Sequence, residues 1–222
     1  MKPFTVQHDC QIQNLSEIYN KYFANIDTGC FVEVGAYDGR SWTNTGFLAD
    51  IGWLGLYIEP IESHLNLCKQ NHANNCVYFE QSAIGPIEIT TEMYIAGGLS
   101  TIDSQVNIAH EKLFNTIINQ KQIVNVQPLD KILKKYNISK KFELLVVDTE
   151  GYEKEVFDSF SLVEYRPKMI IVELCDVHNG YDDYKELQNK AQLVRKHILN
   201  NNYQEIYIDA INTIFWDNNE QF

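Results

Sequence analysis

Short apolar runs alternate along this chain with longer stretches whose apolar residues recur at helical spacing, and this predicts strands and helices in turn. Leu15 to Ala24 is an amphipathic helix, with Leu15, Ile18, Tyr19, Tyr22 and Phe23 along one face, expected to lie on a sheet or over a cofactor mouth. Cys30 to Val34 reads as a buried strand closed by a glycine turn, followed by a helix over Thr43 to Ile51 that Gly52 ends. Trp53 to Ile58 and Cys76 to Glu80 are further strands, separated by a helix from Ile61 to Asn71. Ile87 to Ile95 is an extra strand or hairpin, and Ala96 to Thr101 a flexible loop of the kind that shapes sites. A helix over Ile108 to Ile118, a strand over Ile123 to Val126 and a helix from Pro128 to Tyr136 come next. Then follow strand Leu144 to Val147, helix Glu153 to Phe160, strand Met169 to Val172 and a long helix, Tyr184 to Asn200. Tyr203 to Ile208 and Thr213 to Trp216 are joined at hairpin distance, so they pair antiparallel. Strands alternating with helices predict an α/β fold with a mostly parallel, doubly wound sheet, to which the hairpin adds an antiparallel edge.

Composition narrows the field. The 222 residues carry a formal net charge of -12, which argues against an electrostatic grip on nucleic acid or an anionic membrane. No run is long enough for a membrane span, and the N-terminus lacks a signal-peptide pattern. The cysteines, Cys10, Cys30, Cys68, Cys76 and Cys175, are odd in number and form no C-x-x-C pair, so a reducing, cytoplasmic setting is expected. Cys30, Cys76 and Cys175 fall on strands read as buried. With no repeat or linker visible, residues 1–222 are expected to form a single domain whose residues 1–29 are a helical N-terminal segment.

The candidate chemistry sits at the ends of the first two strands. Gly35 and Gly39 flank Ala36-Tyr37-Asp38, a spacing that differs from the Gly-x-Gly-x-x-Gly of dinucleotide folds. An aspartate inside a pyrophosphate cradle would repel phosphate, whereas a cationic cofactor without phosphate suits acidic neighbours. Glu59, which ends the second strand before Pro60, is placed to accept hydrogen bonds from ribose hydroxyls. With Glu33, Asp38 and Glu59 at strand ends, S-adenosylmethionine (SAM) is favoured over a nicotinamide cofactor. The competing role for Glu33 and Asp38 is to cap the following helix. Ser82 and Ala83, after the third strand, are candidates for the adenine wall. The terminal hairpin matches class I methyltransferases, a Rossmann-like fold, better than nicotinamide folds.

With these residues in view, the chain resembles FkbM-type methyltransferases, from about Gln7 to the terminal hairpin. The resemblance rests on Phe31 to Gly39, Ser41-x-x-Asn44-Thr45-x-Phe47-Leu48 and Gly52-Trp53-x-Gly55-x-x-Ile58-Glu59-Pro60. It continues through Leu99-Ser100, Leu129-Asp130, Val147 to Glu153, Arg166-Pro167-Lys168 and Val172-Glu173. It implies SAM-dependent methyl transfer, usually onto oxygen, with sugars and natural-product hydroxyls among the acceptors, and it adds Asn44 and Thr45 to the cofactor set. The short N-terminal segment leaves the acceptor open.

An alcohol acceptor needs a base or a metal to take its proton. Asp148 and Glu173, at the ends of neighbouring strands, and Glu150 in the turn between are the catalytic candidates, with Asp148 preferred as base. Glu150 would orient the acceptor or share a proton; its alternative is to cap the helix that begins near Tyr152. Asp148, Glu173, Asp176 and His178 form a second possibility, an oxygen-rich site for Mg²⁺. Tyr203, Tyr207, Phe215 and Trp216 are expected in the hairpin core. The best reading is an O-methyltransferase acting on a sugar, glycan or other small hydroxylated acceptor. The alternatives are a non-catalytic module in a larger assembly and an RNA methyltransferase.

Overall fold

A computed structural model describes residue 4, residues 10–115 and residues 117–220. Gln7, where the family resemblance starts, and position 116 of the expected 108–118 helix lie outside the described residues. In chain order the elements are α1 (Leu15–Tyr22), β1 (Cys30–Val34), α2 (Gly46–Asp50), β2 (Leu54–Ile58), α3 (Glu62–Asn71) and β3 (Val77–Glu80). Next come β4 (Ala83–Ile84), β5 (Ile89–Tyr94), α4 (Ser104–Leu113), β6 (Lys121–Gln127), α5 (Leu129–Lys135) and β7 (Lys141–Val147). The last are α6 (Glu153–Phe157), β8 (Arg166–Glu173), α7 (Lys185–Asn200), β9 (Tyr203–Ile208) and β10 (Asn212–Asp217).

Seven strands form the main sheet in the order β3-β2-β1-β7-β8-β10-β9. The first five run parallel, and β10 lies antiparallel to both β8 and β9. Because the sheet is covered on both faces, its central strands read as unbroken apolar runs. Side chains alternate between two cores. Val32, Val34, Leu145 and Val147 pack with α5, α6 and α7. Phe31, Tyr57, Leu144 and Val146 pack on the other face with Tyr19 of α1, Phe47 of α2 and Trp53. α1 therefore lies on the sheet, and the Tyr19 hydroxyl donates to the Asn44 carbonyl at 2.9 Å. Tyr203, Phe215 and Trp216 are core residues of the hairpin region. No helix among the described residues is long and apolar enough to cross a membrane.

Several expectations need correction. The strand over Ile123 to Val126 does not join the main sheet: as β6 it is the centre of a separate sheet, β4-β6-β5. Its alternating exposure shows one wet face, unlike the doubly covered strands. The helix expected from Ile108 starts earlier, because the Asp103 carboxylate accepts from the backbone N–H groups of Gln105 and Val106 and caps it there. The helix expected from Thr43 starts at Gly46, since the Thr43 hydroxyl accepts from Thr45 and Gly46 in a turn before it. Cys76 is exposed just ahead of β3, and Cys30 and Cys175 are only half-buried; Cys68 is the cysteine sealed in the core.

Candidate active site

The carboxyl ends of β1, β2 and β7 meet at Gly35. Its N–H and that of Ala36 both donate to the Ile58 carbonyl, at 3.0 and 3.1 Å. Gly35 has φ +86°, and a Cβ there would stand 1.6 Å from the Asp148 carbonyl oxygen, so only glycine lets β1 turn against β7. Tyr37 follows at φ 48° and donates its N–H to Glu59 Oε2 at 3.0 Å. The other Glu59 oxygen accepts from Ile61 N–H at 2.9 Å and lies 3.5 Å from His64 Nδ1. Both oxygens keep a lone pair for an outside donor.

Around this junction opens a narrow cleft of about 50 Å³, whose walls include Gly35, Glu59, Pro60, Ser82, Ala83 and Asp148. A wider cleft of about 500 Å³ shares Gly35, Asp148 and Glu150 with it and adds Glu33 and Ala36. Four residues expected to bind cofactor do not line either space. Asp38 turns back on its own loop, accepting from the backbone N–H groups of Arg40 and Ser41 and from the Ser41 hydroxyl. Burial pushes its carboxyl up, but those Ser41 and Arg40 donors outweigh it and hold the group below the usual range. The Gly39 carbonyl accepts from His72 Nε2 at 2.8 Å, and the Asn44 carboxamide accepts from the Cys10 thiol. Thr45 donates its hydroxyl to Glu33, so it acts on the cleft through that carboxylate. Glu33 itself is no helix cap: it is buried on the Tyr57 side of the sheet. Burial pushes its pKa up to about 8 against the Thr45 hydrogen bond, and the Asp148 charge adds to the rise.

The second part of the site is acidic. Asp148, Glu150 and Glu173 each bring a carboxylate oxygen to within 4.8 Å of the other two. Glu150 (φ 53°) and Gly151 (φ 88°) make the turn that swings Glu150 under β7. Glu150 does not cap α6. Glu153 ties down the turn ahead of α6: its Oε1 accepts from Thr149 N–H (3.0 Å), the Thr149 hydroxyl (2.9 Å) and Gly151 N–H (3.1 Å). Burial raises the proton affinity of all three clustered groups, and the neighbouring charges raise Glu150 and Glu173 further. Glu173 Oε2 is buried with no donor facing it, which is resolved if Glu173 carries a proton directed at Asp148. His110 sits behind Glu150, 3.4 Å from its Oε2 and 3.2 Å from the Tyr181 hydroxyl. Burial lowers the pKa of this imidazole, which keeps it neutral.

Asp176 and His178 do not join the cluster. Asp176 is held by Arg195 in a two-pronged ion pair of 2.6 and 2.7 Å, and His178 Nδ1 accepts from Gly180 N–H at 3.0 Å. The expected four-residue metal set is thus replaced by Asp148, Glu150 and Glu173, an all-oxygen donor group of the kind that suits Mg²⁺.

Sequence reasoning missed His64, Met93, Trp42, Tyr37 and His110. Tyr37 lay inside the glycine motif and passed as a spacer; the other four have no local signature, and the folded loops bring them in.

The residues present fit SAM. Asp148 offers a hydrogen-bond acceptor for its ammonium end, Glu59 offers acceptors for ribose, and Pro60, Ala83 and Met93 offer an apolar wall for adenine, while Glu33, held protonated by burial, lines the cleft without adding charge. Solved structures share the fold. An O-methyltransferase from Bacillus cereus, in complex with SAH, superposes with a TM-score of 0.53 at 14% identity, over 95% of this chain and 82% of that one. The O-methyltransferase TomG from Streptomyces achromogenes, in complex with SAM, gives 0.52 at 12% identity over 91% and 77%. No curated protein matches the sequence. The model of the methyltransferase FkbM domain matches residues 33–205, which take in the donor cleft and all three clustered carboxylates. The chain belongs to the FkbM methyltransferase family.

Proposed function

We propose that this methyltransferase acts on a hydroxyl oxygen of a sugar, glycan or other small hydroxylated acceptor, with Asp148 as the base. The observation that carries this reading is the convergence of Asp148, Glu150 and Glu173 where the two clefts meet. SAM, when bound, supplies an electrophilic methyl group. Glu59 and the Gly35 turn would hold the donor, and Asp148 would take the acceptor's hydroxyl proton, the methyl group exchanging its bond to sulfur for one to oxygen and S-adenosylhomocysteine leaving. A base with raised proton affinity suits a weakly acidic alcohol. Glu173, as the protonated neighbour, keeps Asp148 ionised, and Glu150, backed by His110, orients the acceptor. The net charge of -12 supports a small acceptor over RNA. The five cysteines are all unpaired, consistent with a reducing, cytoplasmic setting.

The test is methyl transfer from radiolabelled SAM to a panel of glycosides and phenols. Labelled ethers of the wild type that vanish in Asp148→Asn, with SAM affinity kept, are expected; N- or C-methyl products would refute the reading. A divalent cation held by the three carboxylates is a second reading, favoured by their all-oxygen geometry. Turnover that survives exhaustive chelation would remove it.

A further inference from the structure

Two aromatic residues in the loop after β1 adopt a backbone conformation that bulky side chains avoid. Tyr37 has φ 48° and Trp42 φ 55°. Such conformations persist where the surroundings enforce them, and they gather at ligand sites. Here the result is a stack: the two rings lie 6.2 Å apart at 24°, and His64 packs against Tyr37 in an edge-type contact at 4.6 Å. Trp42 nevertheless remains 55% exposed, whereas Trp53 and Trp216 are sealed in the core. Its ring borders Gly98, where an added Cβ would come within 3.2 Å, so the loop opposite is kept free of side chain. Trp42 lines the 500 Å³ cleft that also contains Asp148 and Glu150, and Phe114, equally exposed, lines it too.

The charge of these spaces is equally telling. Among the described residues, no lysine or arginine lines the donor cleft, the wider cleft or the 390 Å³ cleft beyond Glu150 and Glu173; Lys154 and Lys190, which line a smaller cleft behind those two acids, are paired with Asp158 and Asp103. A phosphorylated or carboxylated acceptor would meet carboxylates with no cation to offset them. An uncharged ring with hydroxyls on its edge and C–H groups on its face meets what the cleft offers: an aromatic plane and acceptors for its O–H groups.

We propose that Trp42 is the acceptor platform, stacking on the apolar face of an uncharged pyranose while Asp148 and Glu150 face its hydroxyls. This deepens the O-methylation reading above and rests on it. The test uses tryptophan emission, because Trp42 is the solvent-accessible indole of the three. The full chain, loaded with SAH, is quenched with acrylamide in the presence of methyl glucoside, galactoside and mannoside, and of the matching hexose 6-phosphates. A neutral glycoside is expected to protect the accessible emission, and the phosphates to give no protection. Trp42→Asn keeps a residue that tolerates this backbone conformation and removes the ring. It should weaken glycoside binding, read by saturation-transfer NMR, about tenfold, the loss expected for one aromatic contact. SAH affinity should stay unchanged, and Trp42→Phe should recover much of the glycoside binding. SAH binding with Trp42 quenched equally in every glycoside would overturn the platform alone. A parallel loss of SAH affinity in Trp42→Asn would make Trp42 a donor wall instead. Failure of the wild type to bind SAH would bring down the reading of function as well.

Discussion

Glu33→Gln isolates the energetic cost of a buried acid beside the donor site. Glu33 ionises near its ordinary 4.5 in the unfolded chain and at about 8 in the folded protein, where burial disfavours its charge. The native state therefore holds a proton that the unfolded state has lost throughout that interval. Stability from this group is complete below the unfolded value and declines as pH rises towards about 8. One such proton is worth about 1.4 kcal/mol per pH unit, hence about 5 kcal/mol across the window. Glutamine cannot ionise, so this slope disappears. Its NH₂ group meets the donors that served the carboxyl, among them the Thr45 hydroxyl, which costs about 1 kcal/mol at the acid end. The variant should be slightly weaker than wild type near about pH 5 and stronger by about 3 kcal/mol near pH 8. Urea unfolding of both proteins across this range reads the difference, in which the contributions of the other buried carboxyls cancel. Parallel pH profiles for the two proteins would refute the argument, because they would place Glu33 among ordinary carboxylates.

Asp148→Asn should lower turnover by about a thousandfold while leaving SAM affinity intact, the loss typical of a missing general base; calorimetry and single-turnover assays separate the two. In the wild type, the base must be ionised, and burial raises its pKa, so the acid limb of turnover should lie above the ordinary 3.8 of an aspartate; a limb at 3.8 would contradict this. Glu59→Ala should weaken SAM binding at least about tenfold, since a charged acceptor and the anchors of Tyr37 and Ile61 go together; an unchanged titration would take ribose away from Glu59. Arg195→Met strands the buried Asp176 carboxylate and should cost about 3 kcal/mol by denaturant unfolding; an unmoved midpoint would show that Asp176 does not depend on its partner.

The fold was legible wherever hydrophobic period and chain order agree. The continuous runs of β1, β2, β7 and β8 state in sequence that both their faces are covered. The small sheet was not legible, because the short run Ile123 to Val126 reads as one more strand, and its partners β4 and β5 are fixed only by the folded chain. For the site, motif spacing gave Gly35, Glu59 and Asp148, since backbone turns at strand ends fix them locally. It could not separate Glu150 from Glu153, two nearby acids of which one ties down the turn and the other faces the cleft. Nor could it show that Arg195, far along the chain, removes Asp176 from the cluster.

The place of β10 has a consequence for how the protein is made. It is synthesised after every other strand described, yet it lies inside the sheet, between β8 and β9. Until it emerges from the ribosome, β8 presents an open edge that ends at Glu173, and the Leu174 N–H lacks the Ile211 carbonyl that later receives it at 2.8 Å. The pairing of Asn212 with Glu173 then closes the seam at the carboxylate end. The nascent chain thus carries every acid of its active site well before it has a wall to hold one of them. Methyl transfer should appear abruptly, with the last strand, and a stop codon ahead of residue 212 should yield an insoluble chain rather than a weak enzyme.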